Sequence, residues 1–437
     1  MEKGKTVAFY TLGCKLNAYD TEWLREQFET HGYRVVAFGE AADVTVVNTC
    51  TVTSQGDAQS RQALRRAQRI SPDGVVVAAG CYAQTDADAL MAMPEVDLVV
   101  GTAEKAQLLD LVDGDRPPGR RFVSRSRPAK FHDMDIRDFS GRARAFVKIQ
   151  EGCNAFCTFC IVPFARGRSR SRSLESTLGQ VKRLADVGYQ EVILTGIHVG
   201  DYGADLSNVA LLDVLEAVEK IEGLRRFRIS SIEATEITDA MVDFFSTSRK
   251  FCRHLHIPLQ SGDDGILKAM RRPYTRSDYV ALVERLAERI PGIGLGADVM
   301  AGFPGETETA FRNTFELIAQ SPVAYLHVFP YSPRRRTLAA RMAGQIDPQV
   351  KKGRAAKLRA LGTQKTEAFQ RRFLGETLEV IFENRRQPDT DRLQGVSDNY
   401  IRVCAPGPDC AMDRVCRVRI DRLEGNRAVG DVVEIGV

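Results

Sequence analysis

The chain predicts an α/β protein in three parts: an N-terminal doubly wound parallel sheet, a central partial (β/α)6 barrel and a small C-terminal all-β barrel. Short β-rich runs alternate with helical patterns in the first part, and the alternation resumes for six steps in the middle. Beyond residue 372 the helical patterns stop, and only alternating strands separated by turns remain. A length of 437 residues leaves room for two or three domains of this kind.

In the first part, expected at 1–113, Val7–Thr11, Val44–Asn48 and Val75–Ala79 are β-rich runs. Helical patterns follow at Ala18–His31, Gln55–Ile70 and Ala87–Met93, and a further run, Val96–Val100, leads into a helix near Ala103–Val112. Ligands of such sheets bind beyond the carboxyl ends of the strands. Each of the first three strands runs into a cysteine there: Cys14, Cys50 and Cys81. If these strands are neighbours, the three thiols gather at one edge and form a three-cysteine site with room for a cluster that keeps one iron open. The alternative is three buried strand-end thiols, since free cysteine is often a core residue.

Residues 114–141 break the pattern with Pro117-Pro118-Gly119, Pro128 and several arginines, as an interdomain linker would. Its basic residues Arg116, Arg120, Arg121, Arg125, Arg127 and Lys130 are either phosphate contacts or a solvated stretch.

The central domain, expected at 142–372, has strands at Ala145–Ile149, Glu191–Thr195, Phe227–Ser231, His254–Pro258, Gly294–Met300 and Tyr325–Phe329. Helices near Leu174–Val187, Val209–Ile221, Asp239–Ser246, Arg276–Arg289 and Glu306–Ala319 separate them. In barrels of this type the chemistry gathers at the carboxyl ends of the strands. Those ends carry Gly196, Glu233, Gln260 and Gly302; the glycines allow close backbone approach, and the two side chains offer hydrogen-bond partners. His198, His254 and His256 are proton donors, ligands or satisfied wall residues.

Directly after the first of these strands comes Cys153-Asn-Ala-Phe-Cys157-Thr-Phe-Cys160. A tight loop with this spacing can point three thiolates at three corners of one iron–sulfur cube and leave the fourth iron open to a ligand. Structural zinc usually takes four ligands, and no nearby cysteine or histidine completes such a set. Arg166, Arg168, Arg170 and Arg172 follow in alternation, as a nucleic-acid contact or an exposed basic loop.

Between Tyr331 and Arg372 twelve Lys or Arg face two acids, Asp347 and Glu367, an excess of ten in a chain whose net charge is +4. Concentrated charge of this kind is the electrostatic footprint of nucleic-acid binding, against the alternative of a solvated helix face. The last part, 373–437, reads as strands at Thr377–Glu383, Asn399–Cys404, Arg414–Leu423 and Gly430–Ile435. Cys404, Cys410 and Cys416 lie here, and with Cys252 they are assigned to packing. No apolar run is long enough to span a membrane, and Met1-Glu-Lys-Gly-Lys5 lacks a signal-peptide core, so a cytoplasmic protein is expected. Its ten cysteines are then thiols and metal ligands rather than a disulfide framework.

The C-x3-C-x2-C loop is the signature of radical S-adenosylmethionine enzymes, and the chain resembles one family of them over essentially its whole length. Thr11-Leu-Gly-Cys14-Lys-Leu-Asn17-Ala-Tyr-Asp20, Asn48-Thr-Cys50-Thr-Val-Thr53 and Ala79-Gly-Cys81-Tyr-Ala-Gln84 are similar to the methylthiotransferase family. The form around Cys14 and Cys50 resembles the branch that modifies threonylcarbamoyladenosine beside the anticodon of transfer RNA. The isopentenyladenosine branch shows Gly-Cys-Gln-Met-Asn at the first site and the ribosomal-protein branch Gly-Cys-Pro-Lys-Asn, and neither is present. The resemblance implies two [4Fe-4S] clusters, one on Cys153, Cys157 and Cys160 and one on Cys14, Cys50 and Cys81. It further implies S-adenosylmethionine cradled by the segments that carry Gly196, Glu233, Gln260 and Gly302. Implied partners are transfer RNA, bound through a C-terminal TRAM domain, an electron donor such as flavodoxin or ferredoxin, and a sulfur source.

Overall fold

The computed structural model describes residues 4–114, 121–123 (backbone), 130–139 and 141–436. Pro117, Pro118, Gly119, Pro128 and the basic residues Arg116, Arg120, Arg125 and Arg127 lie outside the described residues, as does the side chain of Arg121. The chain divides into two compact units: residues up to 136 with 150–172 and 332–340, and residues 137–149 with 173–331 and 341 onward.

The first unit is built on a six-stranded parallel sheet, ordered Arg34–Val36, Thr6–Thr11, Val44–Thr49, Val75–Gly80, Leu98–Val100, Arg121–Val123. Val44–Thr49 and Val75–Gly80 are buried along almost their whole length, which is why they read as continuous Val- and Ala-rich runs. Helices Lys15–Thr30 and Ser54–Ile70 cover them. Two strands escaped the sequence: Arg34–Val36 and Arg121–Val123 are three residues each, too short for a period to show, and the second falls in the expected linker.

The second unit holds six parallel strands in sequence order. Arg144–Lys148, Glu191–Thr195 and Arg226–Ile229 form one sheet; His254–His256, Gly294–Ala301 and Tyr325–Pro330 form the next. Backbone bonds from Phe227 N to Lys250 O (2.8 Å), from Cys252 N to Phe227 O (2.9 Å) and from Ile232 N to His256 O (3.0 Å) join them into an open, partial barrel. Helices on the expected segments close each step, with a short extra one at Asp264–Ala269. Thr275 and Asp278 form a capping box at the start of Arg276–Arg289, and Asp347 caps the 24-residue helix Pro348–Arg371 with proline in its first turn.

The C-terminal strands close into a five-stranded barrel, ordered Thr377–Arg386, Leu393–Ser397, Arg402–Ala405, Arg427–Ile435, Val415–Glu424. The strand Leu393–Ser397 was not anticipated: Gly395 interrupts its pattern, because a Cβ there would lie 2.4 Å from Ile381 O of the neighbouring strand. Buried Val380, Phe382, Leu393, Val403, Val418 and Ile420 fill the barrel. Against it stands the polar floor of the (β/α) barrel. Glu191 accepts from Arg226 Nε (2.6 Å) and Arg228 Nε (2.7 Å), all three buried. The remaining guanidinium donors reach the C-terminal barrel's own carbonyls: Glu379 O and Val396 O for Arg226, Ser397 O and Asp398 O for Arg228.

Candidate metal centre

The strands that end at Cys14, Cys50 and Cys81 are adjacent in the sheet, so the three thiols meet at one carboxyl edge. Cys14 stands at the start of helix Lys15–Thr30, Cys50 follows its strand directly, and Cys81 opens the short helix Cys81–Thr85. Two glycines make the crowding possible. Gly13 has φ +99° and its missing Cβ would lie 2.9 Å from Cys50 Sγ; Gly80 has the same φ, and its Cβ would meet Asn48 Oδ1 at 2.6 Å. Buried Asn17 staples the loops, donating to Leu12 O (2.7 Å) and Thr49 O (3.0 Å), while Asn48 donates back to Asn17 O (2.9 Å). Burial pushes the Cys50 thiol up to about 11 and raises Cys81 as well, and the neighbouring sulfurs add to both. Such thiols stay protonated near neutrality until a bound metal's charge displaces the protons.

The Cys153 loop is pinched at its base by the antiparallel pair Gln150–Glu151 and Arg170–Ser171. Gly152, φ +76°, lets the loop pass under Arg168, whose carbonyl oxygen would lie 2.0 Å from a Cβ. Cys153 N donates to Gly167 O (3.2 Å), Cys160 N to Cys157 O (3.0 Å) and Ala155 N to Cys153 Sγ (3.4 Å). Phe156 is held at φ +46°, an unusual conformation for an aromatic residue. All three cysteines are partly exposed, as ligands open to a second reactant need to be. Both triads belong to the first unit.

The arginines after this loop correct the sequence reading. Arg166, Arg170 and Arg172 are buried rather than facing solvent or nucleic acid, and Arg168 alone of the four is exposed. Arg172 pairs with Asp133 and Asp135, and Arg170 with Glu151. Their partners lie in other segments of the chain, 37 residues away for Asp135, so alternation could not reveal them. Within the 331–372 segment, Arg334 is likewise internal, pairing with Asp57 at 2.5 Å, and Arg354 pairs with Glu306 at 2.8 Å. Arg335, Arg336, Arg341, Lys352, Lys357, Arg359, Arg371 and Arg372 are exposed, as is Lys130 of the former linker.

In the second unit, Gly196, Glu233, Gln260 and Gly302 lie at or just beyond the carboxyl ends of four consecutive strands. Gly196 N donates to Ser230 Oγ (3.3 Å), and Glu233 accepts from Arg272. Gln260, φ +65°, is tied through its backbone to Asp298 O and Met300 N. Gly302 N donates to both oxygens of buried Glu306 (3.1 Å each), and a Cβ on it would strike Lys351. The three histidines each have a polar partner. His198 Nε2 meets Glu236 at 2.5 Å, and His254 and His256 share the Tyr325 hydroxyl (2.8 and 3.1 Å). Asp298, reached by His256 (2.9 Å) and His327 (3.3 Å), completes a cluster that no sequence signal marked. Cys252, Cys404 and Cys416 are buried, in keeping with packing, but Cys410 is exposed and its assignment to packing is wrong. It sits on a single 3-10 turn, Asp409–Ala411, whose buried residue is Ala411.

A doubly wound sheet, a partial (β/α) barrel and a C-x3-C-x2-C loop that follows the barrel's first strand in the sequence define a radical S-adenosylmethionine enzyme. Residues 147–318 match the Radical SAM superfamily, and residues 6–101 match the Uncharacterized protein family UPF0004. The radical S-adenosylmethionine methyltransferase TsrM from Kitasatospora setae superposes with a TM-score of 0.58 over 77% of each chain at 16% identity, a likeness of fold. The chain is 43% identical to the threonylcarbamoyladenosine tRNA methylthiotransferase MtaB of Bacillus subtilis, over 95% of this chain and 93% of that one. It is 36% identical to the tRNA-2-methylthio-N(6)-dimethylallyladenosine synthase of Moorella thermoacetica, over 98% and 99%. The chain belongs to the methylthiotransferase family of radical S-adenosylmethionine enzymes and is a transferase. The cofactors of this family are S-adenosylmethionine and two [4Fe-4S] clusters, and the six converging or loop-held thiols, with glycines where a Cβ would fill the cradle, fit two three-thiolate clusters.

Proposed function

We propose that the protein converts N6-threonylcarbamoyladenosine beside the anticodon of transfer RNA to its 2-methylthio derivative. The observation that carries this is the second cysteine triad, a three-thiol edge on the N-terminal sheet in addition to the radical loop, in a chain so similar to the Bacillus enzyme. Cys153, Cys157 and Cys160 hold one cluster, and Cys14, Cys50 and Cys81 the other. Gly196, Glu233, Gln260 and Gly302 border the S-adenosylmethionine site. Together, the bound groups supply a carbon radical able to take hydrogen from an unactivated position, and the sulfur to be inserted.

Everything else is the work of this chain. The two loops fix the thiols, the strand ends orient the sulfonium cofactor, and exposed cations such as Arg341, Lys352, Arg359 and Arg371 meet the RNA backbone with the C-terminal barrel, which we take as a TRAM domain. We divide the chain at 1–113, 114–141, 142–372 and 373–437 for these roles. The target base is reached in a single-stranded loop, where it can be splayed out. An electron donor of the flavodoxin or ferredoxin type, a sulfur source and a cytoplasmic location complete the reading; no helix of the described residues is long and apolar enough to cross a membrane.

The Moorella relative favours a second reading, methylthiolation of the isopentenyl-type adenosine. Mass spectrometry of transfer-RNA nucleosides from a strain lacking the gene separates them. Loss of 2-methylthio-threonylcarbamoyladenosine with accumulation of its precursor is the expected result. Loss of the isopentenyl counterpart moves the enzyme to the other substrate, and an unchanged profile points to a protein substrate or a redundant enzyme.

A further inference from the structure

We propose that Arg166 is the positioning residue that locks the Cys153–Cys160 loop to the Cys14, Cys50 and Cys81 site, and that its guanidinium sets the redox character of the cluster held there. The proposal rests on the two-cluster reading above and adds a residue to it.

Arg166 ends the short helix Val162–Arg166, six residues after Cys160, and is only 1% exposed. One arm of its fork donates to Glu151 Oε1 at 2.6 Å, two residues before Cys153. The other donates to Asn17 Oδ1 at 2.6 Å, three residues after Cys14. Asn17 in turn holds Leu12 O and Thr49 O, the backbone flanking Cys14 and Cys50. Burial raises the Cys81 thiol, and the positive charge of Arg166 works against that rise. A single planar group therefore touches the frame of both triads, and a lysine, with one point charge, cannot reach both arms at once.

The surroundings are matched to an anion. Asp20 lies 3.6 Å from Arg166 and takes Lys105 at 2.7 Å; Glu151 takes Arg170 at 3.1 Å. Buried Arg166, Lys105 and Arg170 thus interlock with buried Asp20 and Glu151. A buried guanidinium tied to the frame of three thiolates favours the more negative, reduced state of whatever they hold, because potentials of such clusters follow local charge and hydrogen bonds to sulfur.

The test is a redox titration, followed by electron paramagnetic resonance, of the anaerobically reconstituted full-length protein carrying Cys157→Ala, so that the second site's cluster is read alone. Adding Arg166→Gln is expected to lower its reduction equilibrium constant about tenfold, 59 mV for a one-electron couple. Arg166→Lys, which keeps the charge but not the fork, should fall between. An unchanged potential in Arg166→Gln with iron retained overturns the proposal. If Arg166→Gln loses iron, the potential of Arg166→Lys decides; loss of iron from both makes Arg166 a folding element and overturns it too. A parent Cys157→Ala protein with no cluster at the second site refutes the two-cluster reading itself, a result distinct from an unchanged potential.

Discussion

Cys14, Cys50 and Cys81 share one sheet edge but are graded in exposure: Cys14 is open, Cys50 partly covered and Cys81 buried. In the metal-free protein at pH 8, iodoacetamide should therefore label Cys14 and exposed Cys410 first, and within the triad Cys81 last, as peptide mass spectrometry would record. Reconstitution with iron and sulfide should protect Cys14 but leave Cys410 reactive; continued labelling of Cys14 would exclude it as a ligand. The two triads also differ in what their loss should do. Cys157→Ala should abolish 5′-deoxyadenosine formation. Cys50→Ala should retain that cleavage while 2-methylthio product falls below detection, and product from Cys50→Ala would end the proposed division of labour. Each of the six proposed ligands stood out as a candidate from motif and strand-end position, since both are local. Asn17, Glu151 and Arg166 did not, because what they touch is set by which loops meet.

At the scale of elements, the strand ends depend on glycines whose conformation no other residue matches cheaply. Gly80→Ala puts a methyl 2.6 Å from Asn48 Oδ1 and 2.8 Å from Thr49 O, at φ +99°. A loss of about 1–3 kcal/mol is expected from the backbone strain, with the second site's iron falling while the Cys153 loop keeps its own. Urea unfolding with iron analysis of the two sites would measure both; equal loss from both sites would point to global unfolding. Long elements were legible from the pattern: helix Arg276–Arg289 and strand Glu191–Thr195 fall where the periodicity places them. Elements of three residues such as Arg34–Val36 carry too little pattern to register. The arginine run 166–172 was misread for a physical reason. An arginine's sequence does not say whether a carboxylate waits for it, and Asp133, Asp135 and Glu151 bury charges that would otherwise face water.

For the second unit as a whole, Glu191 is the keystone. Burial works against its charge, but Arg228, Arg226 and Arg144 outweigh that and hold its pKa at about 2, against the ordinary 4.5. A carboxylate with a depressed folded pKa contributes stability above its unfolded pKa and loses it as pH falls through the folded one. Parent protein should therefore lose stability relative to Glu191→Gln between pH 4.5 and about 2 in denaturant titrations. Near pH 7, Glu191→Gln should cost about 3–5 kcal/mol by leaving buried arginines uncompensated. An identical pH profile for the two proteins would refute the assignment. Because Arg226 and Arg228 finish their hydrogen bonding on carbonyls of the C-terminal barrel, truncation before Thr377 should yield an aggregating protein with a lowered Tm. A well-folded truncation that merely binds RNA weakly would show that these contacts are dispensable.

From residue order alone come the three-part architecture, the two cysteine triads and the family, because period, spacing and turn chemistry are properties of neighbours along the chain. The fold had to bring distant segments together before the rest could be known. It set which basic residues are free for a polyanion and which are spent on internal carboxylates. It also tied the edge of the sheet and the cysteine loop into one unit through a buried guanidinium. Those outcomes depend on desolvation and pairing between residues of different segments, as far apart in sequence as Arg166 and Asn17, and no local pattern encodes them.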